Sequence, residues 1–275
     1  MRKLILLVFF VLICWTSHAQ KNAIFFAPHA DDESLAMGDA IASAIAEGYN
    51  TIVVVLTNGK DVGSVQQYTL SKEDIIKARK RELIIAAEIL GVEEENIIFE
   101  NYDDDKLTVS QCLKTIDKVN HLYPNAKMST VSVYDTHPDH QAIARALYQS
   151  YLNLDKKISI AFYRVYLHAD LKTIDKLPRS VEAIPLKYPE IRRKAITSYK
   201  DYDPIKGVYG IGYDAEPELF KAALESNYEY RDQLSSKTIL LLKNERSTLI
   251  IIPALIAGGL LLLSYLFRLV IKQRR

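Results

Sequence analysis

Apolar runs and longer amphipathic stretches alternate along the chain. NAIFFA (22–27) is followed by SLAMGDAIASAIAEG (34–48), TIVVVLT (51–57) by the pattern from Lys72 to Leu90, and NIIFE (96–100) by Val109 to Leu122. STVSVYD (129–135) then precedes His140 to Leu152, and ISIAFYRVYL (158–167) closes the series. Short runs rich in β-branched and aromatic residues predict strands; stretches with apolar residues every three or four positions predict helices. Strand and helix in alternation predict parallel strands joined by right-handed crossovers, hence an α/β fold with a doubly wound, mostly parallel sheet. In the second helix Ile76, Leu83, Ala87 and Leu90 share one side, and Gly91 is placed to stop it.

Beyond about Pro178 the periodicity loosens. The Tyr-, Pro- and Gly-containing stretch 184–214 is expected to cap the sheet or line a substrate groove, and GVYGIGYD (207–214) reads as a loop rather than a phosphate cradle. The polar segment 231–247 reads as a stalk.

The two ends carry a different signal. Arg2 and Lys3 precede an apolar run from Leu4 to Trp15, followed by small residues at Ser17 and Ala19. A helix of that length rises only ~18 Å, against a hydrocarbon core of roughly 30 Å, so residues 1–19 are expected to be a cleaved secretory signal. Leu249 to Phe267 carries no charge and is long enough to span a bilayer, and the basic RLVIKQRR follows it. The expected organisation is a signal peptide (1–19), a main folded domain (20–230), the stalk (231–247), a transmembrane helix (248–270) and a basic cytoplasmic tail (271–275). That makes a single-pass membrane protein whose main domain is extracytoplasmic.

Composition changes this picture little. With 49% hydrophobic and 25% charged residues and a net charge of +1, the chain is an ordinary globular one. No single-sign field of the kind that gathers nucleic acid is visible, so nucleic acid is not an expected partner. Loss of the signal leaves only Cys112, on an amphipathic stretch, which reads as a small buried thiol. His121 and His168 stand in apolar surroundings and read as structural.

Two clusters break the pattern where strands end: PHADDE (28–33) after AIFFA and THPDH (136–140) after STVSVYD. Open α/β sheets bind ligands beyond the carboxyl ends of their strands, so both clusters are expected at one crevice. Together they offer His29, Asp31, Asp32, Glu33, His137, Asp139 and His140. Three of these can hold a catalytic zinc, leaving acids and a histidine for proton transfer and oxyanion stabilisation. Such a set suits amide hydrolysis. YDDDK (102–106) follows the third strand and either lends a carboxylate to the pocket or forms an exposed acidic turn.

PHADDE, VVVLTNG, RKRELIIAAEILGV and THPDH, in that order, resemble the LmbE-like (PIG-L) family of zinc-dependent N-acetylglucosaminyl deacetylases. The resemblance covers roughly Ala23 to Leu152, with a fainter echo in RRKAITSYKDY. It implies a Rossmann-like sheet and one Zn2+ per chain, another divalent metal such as Fe2+ being compatible. By the resemblance His29, Asp32 and His140 are the metal ligands, Asp31 the general base, His137 the oxyanion stabiliser and Asp139 the group that holds His137. Glu33 takes a supporting or helix-capping place, and Arg79 and Glu82 match an Arg-x-x-Glu on the substrate side. The implied substrate is an N-acetylated amino sugar in a glycan, glycolipid or conjugate. A carbohydrate-binding or sensing domain without turnover, and an amidase for a different linkage, are the alternatives. Ala30 replaces the family's usual Pro without loss of a donor or acceptor. The short segment before His137 bears on substrate identity more than on catalysis.

Overall fold

In the computed structural model, which describes residues 20–60, 70–153, 158–171 and 177–243, one 7-stranded sheet forms the centre. Its strands are β1 (Asn22–Ala27), β2 (Asn50–Thr57), β3 (Ile97–Tyr102), β4 (Lys127–Val131), β5 (Ile160–Tyr163), β6 (Val181–Pro185) and β7 (Tyr228–Asp232), in the spatial order β3-β2-β1-β4-β5-β7-β6. The first five are mutually parallel, and β7 runs antiparallel to both β5 and β6. The expected α/β fold is thus present, with an antiparallel extension built from the stretch whose periodicity was weak.

β1 and β2 are buried along almost their whole length because helices cover both faces of the sheet, which is why their sequences are continuous apolar runs rather than alternating ones. One layer contains α1 (Asp32–Ala46), α2 (Lys72–Leu90), α6 (Pro189–Ser198) and α8 (Pro217–Glu225); the other contains α3 (Val109–Leu122), α4 (Pro138–Asn153) and α9 (Ser236–Lys243). Two short helices, α5 (Leu167–Asp170) and α7 (Ile211–Ala215), complete the set among the described residues. Local chemistry sets the helix ends. Ser71 Oγ accepts the Asp74 N–H at the start of α2, and Gly91, at φ 98°, ends it in the left-handed conformation that glycine adopts without strain. Thr108 and Gln111 form a reciprocal capping box at the start of α3.

Residues 231–243, expected in a polar stalk, belong to the folded body. Arg231 and Asp232 lie in β7, and Asp232 is buried with its carboxylate accepting from Arg164 Nε at 2.7 Å and Ser132 Oγ at 2.5 Å. α9 packs on α4 with Thr238 and Leu242 buried. The strand is invisible to periodicity because its partner, β6, lies far away in sequence and its polar groups are satisfied internally. The expected signal peptide and transmembrane helix lie outside the described residues. Among the described residues no helix is long and apolar enough to cross a membrane.

A buried polar cluster fixes α1 in place. Arg192 of α6 donates to the carbonyls of Leu35 (2.9 Å) and Ala223 (2.8 Å), and its Nε lies 3.6 Å from Glu229 of β7. Glu229 in turn accepts the N–H groups of Asp39 and Ala40 in α1, and the Asp39 carboxylate accepts those of Lys187 and Tyr188. The cluster ties α1 to α6, α8 and β7 at almost no solvent exposure, and α1 is the helix whose first turn carries Asp32. Arg192→Met is predicted to cost about 3–5 kcal/mol, because it leaves a buried carboxylate without its cation. Urea unfolding of the purified protein measures this; a loss below about 1 kcal/mol would show that the cluster does not anchor the helix.

Candidate metal centre

The chain leaves β1 toward β2 on one side, while β4 adds to the other side of β1. Between β1 and β4 the strand order therefore reverses, which is where an open α/β sheet leaves a crevice at its carboxyl edge. PHADDE follows β1 and THPDH follows β4, so topology alone brings them together. The Asp32 carboxylate accepts the His29 N–H at 2.9 Å, which turns the first loop tightly back on itself.

Three donor atoms converge. His29 Nδ1 lies 3.2 Å from Asp32 Oδ2 and 3.3 Å from His140 Nε2, and His140 Nε2 lies 3.4 Å from Asp32 Oδ2. Around a zinc-sized ion at roughly 2.0–2.1 Å from nitrogen and oxygen ligands, the edges of a tetrahedron measure about 3.3–3.4 Å. The triangle therefore fits such an ion and leaves a fourth position toward the cavity. Other sets come within 4.8 Å of one another: His29–His137–His140, His29–Asp104–Asp139 and Asp105–His137–Asp139. In the second of these, however, the carboxylates engage the far nitrogen of His29.

That far nitrogen matters. His29 Nε2 faces Asp104 Oδ1 at 3.2 Å and Asp139 Oδ2 at 3.4 Å, and His140 Nδ1 faces Asp135 Oδ2 at 3.0 Å. Each ring is thus oriented from behind by carboxylates and points its other nitrogen at the centre, the usual arrangement around metal-binding histidines. Burial disfavours the charged form of His29, but Asp104, Asp139 and Asp32 outweigh it and raise its pKa well above the ordinary value. The same contest, won by Asp32 and Asp135, lifts His140 to about 9. Asp32 shows the converse: burial opposes its charge, yet His140 and His29 hold its pKa far below the usual carboxylate range.

Asp31 stands beside the triangle on the cavity side, with Oδ2 3.1 Å from Arg79 Nη2. Burial raises its pKa despite the attraction of Arg79, which increases its affinity for a proton. Arg79 is itself buried among glycines: a Cβ at Gly59 would meet its Nε at 3.2 Å, and one at Gly212 would meet Nη1 at 2.7 Å and the Tyr199 ring at 2.8 Å. Glu82 accepts the N–H groups of Tyr209, Ile211 and Gly212, so it holds the 209–212 turn and lies behind the pocket rather than facing substrate. The glycines of GVYGIGYD thereby acquire a reason: the turn they allow closes over Arg79.

His137 sits at the pocket edge. Its Nδ1 accepts the Asp139 N–H at 3.2 Å, which leaves the proton on Nε2, and Nε2 faces Asp105 Oδ1 at 3.0 Å. Burial and the neighbouring His29 and His140 lower its pKa. Asp139 differs from expectation. Its backbone, not its carboxylate, holds His137; the carboxylate accepts the N–H groups of Asp105 and Leu107 and backs His29. The reason is its position in the first turn of α4, where the side chain points back at the loop after β3. Glu33 makes no cap. Fully buried, it accepts from Ser34 Oγ and Tyr199 Oη, and burial lifts its pKa to about 8.

Four participants escape a reading of the two clusters alone. Asp135 orients His140, and its signal is a carboxylate closing a strand just before two histidines. Asp104 and Asp105 come from YDDDK, the alternative that lent a carboxylate to the pocket. Tyr166, stacked on His140 at 5.5 Å between centroids, comes from the loop after β5 and has no local signature. Together with Leu35, Val165 and Leu219 it gives one wall of a cavity of about 340 Å³ an apolar character.

Comparison with known proteins shows what the chain is similar to. Residues 24–151 match the PIG-L family model, described as GlcNAc-PI de-N-acetylase. A probable N-acetyl-alpha-D-glucosaminyl L-malate deacetylase 2 from Bacillus anthracis is 23% identical over 202 residues, which cover 67% of this chain and 88% of the relative. The deacetylase of the teicoplanin biosynthetic pathway, solved as a triple mutant, superposes with a TM-score of 0.58 at 16% identity, covering 77% of this chain and 97% of that one. The 4-carboxy-2-hydroxymuconate hydratase GalB from Pseudomonas putida superposes with a TM-score of 0.54 at 17% identity, covering 78% and 95%. At such identities the superpositions establish the fold, and the hydratase shows that this fold carries more than one reaction.

The raised histidine pKa values generate a prediction. Metal binding takes neutral imidazole, so below about pH 9 it must expel a proton from His140, and His29, whose pKa is also raised, adds to the same effect; apparent affinity should therefore rise with pH up to at least about 9. Chelator competition with zinc across that range measures the slope. A flat profile would exclude these histidines as ligands.

Proposed function

We propose, for a chain that carries a PIG-L (LmbE-like) family domain, that it is a metal-dependent deacetylase which hydrolyses the N-acetyl amide of an amino sugar. The observation that carries the reading is the triangle of His29 Nδ1, Asp32 Oδ2 and His140 Nε2, with Asp31 lining the same cavity as His29 and Asp32. A divalent ion bound there acidifies water and polarises the amide carbonyl.

The protein's own groups then divide the work. Asp31, already predisposed to hold a proton by its burial, takes one from the attacking water and delivers it to the departing nitrogen, so one carboxylate serves as base and then as acid. Arg79 keeps that carboxylate in place. His137, with its proton on Nε2, donates to the carbonyl oxygen as that oxygen gathers charge, for which its hydrogen bond to Asp105 must be exchanged. The products are acetate and a free amine. Tyr166, Leu35, Val165 and Leu219 exclude water along one side and strengthen each of these interactions.

The substrate class is supported by the relative whose name specifies an N-acetylglucosaminyl conjugate and by the teicoplanin deacetylase. An extracytoplasmic position, with the chain anchored through residues 248–270, is supported by the sequence of its two ends: a short basic-then-apolar N-terminus and an uncharged C-terminal run followed by basic residues.

Acetate release from N-acetylglucosamine derivatives by the metal-loaded protein tests the reaction. Asp31→Asn is expected to reduce kcat by about 10²–10⁴ while metal content, read by elemental analysis, stays at one per chain. His137→Ala is expected to cost about 10²–10³ in kcat. Sugar binding without acetate release by the unaltered protein would replace the enzyme by a binding domain.

A further inference from the structure

The rim of the pocket is acidic in a way the hydrolytic reaction does not require. Asp105 lies just beyond β3 with φ +59°, its side chain 59% exposed, and Glu216, ahead of α8, is exposed and lines the same pocket. Glu216 forms no side-chain cap on α8, and no Lys or Arg pairs with it among the described residues. Its pKa is raised by burial and then by the charge of Asp31, so the two carboxylates share one space. Deeper in the pocket lie Asp31 and Asp104. Arg79 is the one Lys or Arg lining the pocket among the described residues; it is 4% exposed, its charge is met by Asp31 at 3.1 Å, and it presents little field at the mouth. Lys60 and Lys106, on the loops after β2 and β3, each pair with Asp103.

The deacetylase reading fixes what leaves this pocket: a sugar with a new ammonium group. Building on that reading, we infer that the Asp105–Glu216 rim selects by charge, accepting amino sugars whose neighbouring group is neutral or cationic and rejecting those that carry a carboxylate or phosphate beside the acetylated ring. An anionic neighbour would enter a space already held by two exposed carboxylates, with no Lys or Arg at the mouth among the described residues to receive it, whereas an ammonium left by an earlier deacetylation would be attracted. The substrate class is therefore an uncharged or partly deacetylated amino-sugar chain, in contrast to the malate conjugate named for the Bacillus anthracis relative.

Three β-1,4-linked disaccharides of similar size separate the cases when given to the metal-loaded full chain: N,N′-diacetylchitobiose, its cationic form with one free amine, and N-acetylglucosaminyl-N-acetylmuramic acid. At low ionic strength kcat/KM for the neutral and cationic sugars should exceed that for the anionic one by about tenfold or more. Glu216→Gln and Asp105→Asn should each narrow that ratio by about threefold, and added salt should narrow it further; simple steric exclusion of the lactyl group would leave the ratio unmoved by salt. Equal or better turnover of the anionic sugar, or a ratio indifferent to both variants and to salt, overturns the inference while leaving the deacetylase reading intact. If none of the three loses acetyl, the deacetylase reading fails, and calorimetric Kd values for the same sugars decide on charge: the same ranking supports the inference, and a flat or reversed one overturns it.

Discussion

The structure depends on two imidazoles being made to face one point. A histidine ring has two nitrogens and a free torsion, so convergence requires each ring to be held from its far side. Here Asp104 and Asp139 hold His29, and Asp135 holds His140. These carboxylates come from two strand ends: Asp104 from the loop after β3, and Asp135 and Asp139 from the loop and first helical turn that follow β4. Most of the carboxyl edge of the parallel sheet is thus committed to a constellation a few ångströms across. Mechanical support comes from below, where Arg192, Glu229 and Asp39 lock α1 and with it the position of Asp32.

The parallel part of the fold was legible because its signals are local. A buried parallel strand is a continuous apolar run, and every crossover helix here carries its own apolar side and end signals, as with Gly91 and the Thr108–Gln111 box. The antiparallel extension was not legible for the opposite reason. β6 and β7 are short and pair across more than forty residues of chain, and the buried charges of β7 are met by Arg164, Ser132 and Arg192 from other elements, so neither periodicity nor hydropathy distinguishes the two strands from loop. Arg231 and Asp232 look like the start of a stalk until Arg164 and Ser132 are seen to bury the aspartate.

The site was legible to the extent that chemistry crowds into short strings. PHADDE and THPDH name the donors that meet, and the switch point between β1 and β4 explains why they meet. What the strings do not reveal is the direction of each side chain. Asp139 adjoins both histidines in sequence, yet its place in the first turn of α4 sends the carboxylate to the loop after β3, and its backbone N–H alone reaches His137. Glu82 resembles a substrate-facing acid in sequence but spends both oxygens on the 209–212 turn. A residue type at a spacing fixes a neighbourhood; the helix turn it falls on fixes the role.

Crowding is also the energetic cost of this design. Asp31, Asp32, Asp104 and Asp139 lie within one small, water-poor volume, where like charges repel far more strongly than at a surface. The raised pKa values of His29 and His140 are the protein's own compensation, since each imidazolium neutralises part of that charge. A dication does the same more compactly and releases the protons, so folding, metal affinity and pH are linked through one set of side chains. Arg79 completes the balance by neutralising Asp31, which the ion does not need as a ligand. At the rim, Asp105 faces only the imidazole of His137, and Glu216 is paired with no Lys or Arg among the described residues, so the charge left over from a site whose interior is matched lies at its mouth.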